Sequence, residues 1–191
     1  MYTSNSKFIS DKPFYRFLND EISNDTLKSN DLIMYYVVLV NMIINLNNSP
    51  LLNDFTVYRG ESYSLGTDGI AIFNSLKSKL QPNTFIRHAR FWSTSTSEKQ
   101  AKKYAQLGMS NSIYYTIKVR KDIKHFLSVK DYSEFQHEDE VLFVPYSLFY
   151  VESVKEVKGY NTTALYVDCI TMDNKHSGTG NPDYFEKVTS L

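Results

Sequence analysis

The spacing of apolar residues changes near residue 50, and this change constrains the fold more than any other feature of the sequence. Before it, apolar side chains recur at helical intervals, at Phe14, Phe17, Leu18 and Ile22 and again from Leu32 to Ile44. After it, short runs rich in β-branched and aromatic residues alternate with polar turns. Helices followed by a series of strands are typical of the α+β class.

The strand-like runs occupy most of the chain after residue 50. The predicted strands are Phe55–Arg59, Phe91–Ser95, Ile113–Val119, His125–Val129, Glu140–Val144, Phe149–Val157 and Ala164–Met172. Helical segments interrupt them at about Ile70–Leu80 and Glu98–Leu107. Because no repeat or linker divides the 191 residues, we expect one domain over 1–191, with a helical part at 1–50 and a β-rich part at 51–191.

Composition and residue spacing argue against several kinds of partner and site. The 21 basic and 21 acidic side chains balance, which disfavours nucleic acid as a partner. Cys169 is the only cysteine, and the four histidines have no ligand spacing with it or with one another, so we expect no metal site. The apolar run Leu32 to Leu46 is too short to span a bilayer, and we interpret it as a buried helix. No secretion signal is visible between Met1 and Ser10.

Arg59 is the first of three polar signatures that stand in strand-like surroundings. It ends the predicted strand Phe55–Arg59, and the permissive Gly60 follows. A guanidinium group in this position can bind a pyrophosphate through two parallel hydrogen bonds. By itself, the pattern is more typical of a surface arginine before a turn glycine.

A cluster of hydroxyl residues is the second signature. It runs from Ser93 to Ser97 and contains two overlapping Ser-Thr-Ser frames, which begin at Ser93 and at Ser95. Such a cluster can hydrogen bond a carboxylate or a ribose, but it can also be an edge strand that leads to a helix cap at Ser97. The residues alone leave both frames open.

A pair of carboxylates is the third signature. In an extended strand Glu138 and Glu140 would point the same way, and their repulsion would raise one pKa and give a mixed acid/base pair. The alternative is a solvated acidic turn before a hairpin strand. The apolar run Val141 to Val144 predicts a buried strand that draws Glu140 toward the interior. A buried carboxylate needs partners, and Ser93 and Arg59 are the candidates.

In this order the three signatures resemble the arginine-serine-glutamate class of mono-ADP-ribosyltransferases. That class includes actin-modifying and Rho-modifying bacterial toxins and the arginine-specific ecto-enzymes of vertebrates. The resemblance favours the Ser93 frame, because Phe91, Ala101 and Tyr104 stand where the family has an aromatic, a small and an aromatic residue. It favours Glu140 as the catalytic carboxylate, because Glu140 leads directly into the apolar strand. It implies N-terminal helices packed on a mixed or antiparallel core of two β-sheets.

The resemblance also implies roles for individual residues. NAD would be the substrate, with Glu140 stabilising the ribosyl cation, Ser93 orienting Glu140 and Arg59 binding the phosphates. Tyr104 would pack against nicotinamide, and Phe135 would recognise the acceptor. The full set of NAD-binding residues that it implies is Tyr15, Asn19, Arg59, Gly60, Ser93, Thr94, Ser95 and Tyr104.

Glu138 is the residue that we expect to determine which acceptor side chain is modified. A protonated arginine is a poor nucleophile, so it needs a carboxylate that holds it and accepts a proton. We therefore expect transfer to arginine on a protein such as actin or another cytosolic protein. The enzyme would be a monomer, either cytosolic or an effector in a host cytosol. NAD hydrolysis by the same site, or a catalytically silent binding module of the same fold, are the alternatives.

Overall fold

The computed structural model describes residues 14–23, 30–46, 53–129, 136–173 and 188–190. Its α-helices are α1 (Phe14–Ser23), α2 (Asn30–Leu46), α3 (Thr67–Lys79) and α4 (Glu98–Ala105), and Gln136–Glu138 forms one 3₁₀ turn. The strands are β1 (Phe55–Tyr63), β2 (Thr84–Arg87), β3 (Trp92–Ser95), β4 (Asn111–Val119), β5 (Phe126–Ser128), β6 (Glu140–Phe143), β7 (Leu148–Lys158), β8 (Thr163–Met172) and β9 (Val188–Ser190).

The strands are hydrogen bonded in the order β5-β6-β3-β1-β4-β8-β7-β2-β9. The β4–β8 and β2–β9 pairs are parallel and the others are antiparallel, so the sheet is mixed. The register between β1 and β3 consists of one pair, Tyr58 with Ser95. Within the described residues the strands thus form one mixed sheet, in which a three-stranded part (β5-β6-β3) and a six-stranded part (β1-β4-β8-β7-β2-β9) meet at a narrow joint.

The main core lies between these two parts. The Trp92 ring of β3 packs edge-on against Tyr115 of β4 and Phe149 of β7, with ring centroids 5.0 and 4.9 Å apart. Phe143 of β6 also contacts Phe149, at 5.2 Å. Burial of such large aromatic surfaces holds the parts face to face despite their narrow joint.

The N-terminal helices cover the opposite face of the three-stranded part. Leu18 of α1 and Ile43 of α2 are fully buried in a second cluster with Phe91, Leu142 and Val144. This arrangement confirms the α+β class and the packing of N-terminal helices on the β core.

Only one face of α2 is buried, so the prediction of a buried helix holds for that face alone. Ile43 is inside, but Met34, Val38 and Met42 are about half exposed. The reason is that α2 packs against the sheet from one side. Within the described parts of the chain, no helix is long and apolar enough to cross a membrane.

Candidate active site

The pairing of β3 with β6 brings the serine and glutamate signatures together. Ser95 pairs with Glu140 and Ser93 with Leu142, so the side chains of these residues share the face that the N-terminal helices cover. The Ser93 hydroxyl donates a hydrogen bond to the Glu140 carboxylate. The two residues that the resemblance selected are thus direct partners.

Glu140 is a buried carboxylate, only 5% exposed. Burial raises its pKa above the ordinary value, and the negative charge of Glu138 raises it further. The hydrogen bond from Ser93 and the positive charge of Arg59 oppose this rise because they favour the ionised form. Ser93 and Arg59 are therefore the partners that the buried carboxylate was expected to need.

Thr94 and Ser95 hold neighbouring backbone segments. The Thr94 hydroxyl donates to the carbonyl of Val141 at 2.8 Å. The Ser95 hydroxyl donates to the carbonyl of Glu138 at 2.5 Å and accepts from the Ser97 amide at 2.9 Å. Ser97 in turn caps α4, as its place in the sequence indicated. Thr94 and Ser95 thus fix the carboxylate-bearing segment, while their contact with NAD stays a prediction.

Arg59 lies inside β1, which continues to Tyr63, so the prediction that it ends a strand was wrong. Its Nη1 donates to the carbonyl of Ser93, and its Nε donates to Glu61 Oε1 at 2.6 Å. Its guanidinium carbon stands 5.9 Å from the ring centroid of Trp92. Arg59 therefore bridges the two parts of the fold beside the Ser93–Glu140 pair.

Glu61 is a site residue that sequence reasoning missed. Besides Arg59, it accepts a hydrogen bond from the Tyr63 hydroxyl at 2.6 Å and lies 3.5 Å from the Trp92 indole nitrogen. Burial alone would raise the pKa of Glu61, but the charge of Arg59 and the Tyr63 hydrogen bond lower it to about 2. Strand alternation from Arg59 to Glu61 to Tyr63 was the signal that could have found this cluster.

Replacing Glu61 with Gln is expected to destabilise the fold by a few kcal/mol at neutral pH and by much less near pH 2. The folded pKa of about 2 lies below the ordinary 4.5. The ionised group therefore contributes stability that is complete above about pH 4.5 and is lost as the pH falls toward 2. Urea unfolding from pH 2 to 7 measures the difference between variant and wild type, with the exposed Glu152→Gln as control. A difference that does not shrink at low pH contradicts the prediction.

Gly60 is required by packing and not by a turn, which corrects the prediction made from the sequence. It pairs with Tyr114 inside the β1–β4 ladder. A Cβ atom on it would lie 1.9 Å from the carbonyl oxygen of Ala101 and 2.5 Å from the amide nitrogen of Ala105. The missing side chain lets α4 lie directly on β1, and any contact of Gly60 with NAD stays a prediction.

Glu138 belongs to the 3₁₀ turn and not to a strand, so the argument from strand alternation was wrong. Asp139 between the two glutamates has a φ of 46°, and its carbonyl accepts from the Thr96 amide at 3.1 Å. This left-handed residue makes the bend between turn and strand. Glu138 nevertheless lies close enough to Glu140 for its charge to act on it.

Two side chains of α4 contact the Glu138 carboxylate. The Tyr104 hydroxyl donates to Oε1 at 2.5 Å, and Gln100 Nε2 donates to the same oxygen at 3.2 Å. Tyr104 thus contacts Glu138, a partner that the sequence did not predict. Its packing against nicotinamide stays a prediction.

Of the remaining predicted residues, the structure describes the side chain of Asn19 but not those of Tyr15 and Phe135. The Asn19 amide oxygen of α1 accepts from the Phe91 backbone amide at 3.1 Å, which ties α1 to the start of β3. Tyr15 is in α1, but its side chain lies outside the described residues, as does all of Phe135. Among the described residues, no group of three or more His, Cys, Asp or Glu could hold a metal ion.

The fold is that of the bacterial ADP-ribosyltransferases. The model of the ADP-ribosyltransferase exoenzyme family matches residues 20–174, and the chain belongs to that family. No curated protein matches it at a significant level of sequence similarity.

Solved structures of bacterial ADP-ribosyltransferases have the same fold. The Vis toxin of Vibrio splendidus is 21% identical, with 86% of this chain and 70% of that chain covered and a TM-score of 0.59. Plx2a of Paenibacillus larvae is 15% identical, with 84% and 81% covered and a TM-score of 0.63. The C3 exoenzyme of Clostridium limosum is 15% identical, with 84% and 80% covered and a TM-score of 0.61.

Proposed function

We propose that this protein transfers ADP-ribose from NAD to an arginine side chain of a protein and releases nicotinamide. The observation that carries the proposal is the meeting of Arg59, Ser93 and Glu140 at one place, with a second carboxylate, Glu138, beside them. The family supplies the class of reaction. The arrangement of charges supports the substrate and the acceptor.

Glu140 would carry the bond-breaking step. Cleavage of the bond between ribose C1′ and nicotinamide leaves positive charge on the ribose, and nicotinamide departs with the bonding electron pair as a neutral molecule. A fixed carboxylate stabilises such an oxocarbenium-like state. The Ser93 hydroxyl orients the Glu140 carboxylate, and Arg59 helps to keep it ionised.

Arg59 would bind the phosphates of NAD. Its Nε and Nη1 are engaged by Glu61 and by the Ser93 carbonyl, so the plane of the guanidinium group is fixed before substrate arrives. Within the described residues Nη2 has no hydrogen-bond partner, and this edge can receive a phosphate oxygen. A fixed guanidinium loses little side-chain entropy when it binds.

Glu138 would serve the acceptor. It would hold a protonated guanidinium group and accept one proton as the arginine nitrogen attacks C1′, so the N-glycosylated guanidinium product keeps a single positive charge. Vis has been crystallised with agmatine, a small arginine analogue, and this supports an arginine acceptor here. A protein of a host cytosol, such as actin, fits the same proposal.

Incubation of the purified protein with adenine-labelled NAD and agmatine tests the proposal directly. We expect nicotinamide release together with labelled agmatine. Release of nicotinamide with free ADP-ribose as the only product would identify an NAD glycohydrolase. Absence of both nicotinamide release and an NAD-induced rise in melting temperature would identify a silent binding module.

Replacing Glu138 with Gln is expected to reduce transfer to agmatine by about 10² to 10⁴-fold, the usual contribution of a general base. NAD cleavage to free ADP-ribose should change much less, because Glu140, Ser93 and Arg59 remain. Parallel assays of labelled agmatine and total nicotinamide measure the two reactions. Retention of arginine transfer would refute the acceptor role and leave the NAD chemistry intact.

A further inference from the structure

The contacts between α4 and the Glu138 carboxylate use only one of its two oxygens. The Tyr104 hydroxyl and the Gln100 amide both donate to Oε1, at 2.5 and 3.2 Å. Within the described parts of the chain, Oε2 has no hydrogen-bond partner. The carboxylate is thus fixed by one oxygen and keeps the other available.

The geometry of α4 explains why these two residues act together. Gln100 and Tyr104 are four positions apart, so they project from the same face of the helix. The close contact at Gly60 sets the helix directly on β1. A rigid helix therefore carries both donors.

The backbone of the glutamate segment is held independently of these donors. The Ser95 hydroxyl donates to the Glu138 carbonyl, and the Thr96 amide donates to the Asp139 carbonyl. Since the backbone is already fixed, the main freedom left to Glu138 is rotation of its side chain. Gln100 and Tyr104 remove that freedom.

We propose that Gln100 and Tyr104 are positioning residues that hold Glu138 with Oε2 directed to an incoming guanidinium group, and that they thereby set the ratio of arginine transfer to NAD hydrolysis. This inference rests on the proposed function. It assigns a role to Gln100, which no sequence motif indicated, and a second role to Tyr104. A general base that is held in one rotamer gains in effective concentration toward a bound acceptor.

The hydroxyl and the ring of Tyr104 can be tested separately, because Tyr104→Phe keeps the ring that would pack against nicotinamide. Tyr104 is 51% exposed, so the variant should fold normally. We expect the ratio of labelled agmatine to total nicotinamide to fall by about tenfold, as for loss of a hydrogen bond to a charged group. The KM for agmatine should rise by a larger factor than the KM for NAD.

Gln100→Leu should shift the ratio in the same direction, and Tyr160→Phe, which changes a fully exposed tyrosine elsewhere, should leave it unchanged. If both Tyr104→Phe and Gln100→Leu keep the wild-type ratio, the positioning role is refuted. Transfer to agmatine by the wild-type protein would still support the proposed function. A rise in the KM for NAD alone would overturn it in favour of a nicotinamide contact. Lack of nicotinamide release by the wild type would refute the proposed function and this inference with it.

Discussion

Glu140→Gln is expected to reduce nicotinamide release by about 10² to 10³-fold, the usual effect of removing one preorganised electrostatic group from an active site. Glutamine has the same shape and can still accept the Ser93 hydrogen bond, but it carries no charge to stabilise the ribosyl cation. Substrate binding through Arg59 should survive, so the loss should fall on kcat and much less on KM.

The same substitution should not lower stability. Glu140 is 5% exposed, and its burial raises its pKa. An ionised carboxylate at this position therefore lowers the free energy of unfolding. A neutral amide removes that cost, so the melting temperature should be equal to or higher than that of the wild type. Assays of nicotinamide release and thermal unfolding together make the check, with Glu152→Gln as the matched surface control. Full NAD cleavage by Glu140→Gln would refute the mechanism.

Gly60→Ala is expected to have the largest effect on stability, about 3 kcal/mol or more, at the upper end of overpacking substitutions. The added Cβ would stand 1.9 Å from the Ala101 carbonyl oxygen, which is far inside van der Waals contact. The two nearest atoms, the Ala101 carbonyl oxygen and the Ala105 amide nitrogen, belong to the backbone, so no side-chain rotation can relieve the clash. Helix α4 would have to move away from β1 and take Tyr104 and Gln100 with it.

Chemical unfolding of Gly60→Ala and Gly66→Ala measures this effect with a matched control. Gly66 has φ at −75°, and its nearest atom to an added Cβ is the Ser64 hydroxyl oxygen at 3.8 Å, so alanine there meets ordinary space. We expect a change below about 1 kcal/mol for the control, as for a modest change of helix cap. Equal losses in the two variants would show that the contact between α4 and β1 is less rigid than the structure describes.

Alternating apolar residues were sufficient to predict seven of the strands, because each has a face in the core between the two parts of the fold. The predicted strand ended at Arg59 because Gly60 follows it, and a glycine after a strand is typical of a turn. Only the tertiary contact with α4 distinguishes a turn glycine from a packing glycine. The short strand Thr84–Arg87 was missed because four residues give too little alternation to recognise.

The candidate site was predictable where its chemistry is local in the sequence. Ser93 and Glu140 followed from motifs, and their contact needed only the β3–β6 register. The partners of Glu61 and Glu138 were not predictable, because Trp92 and Tyr104 are 31 and 34 residues away from them in the chain. Long-range partners of this kind depend on how the two parts of the sheet meet.

The geometry of the candidate site depends on how the three-stranded and six-stranded parts of the sheet are aligned, because they meet only at the narrow joint between β1 and β3. Arg59 belongs to the six-stranded part, whereas Ser93 and Glu140 belong to the three-stranded part, and one register pair connects them. A small rotation at this joint would separate Arg59, the proposed phosphate-binding group, from the proposed catalytic carboxylate Glu140 without unfolding either part. A dinucleotide bound to groups on both parts would hold the two parts in one alignment. Substrate binding and alignment of the proposed catalytic groups would then be a single event.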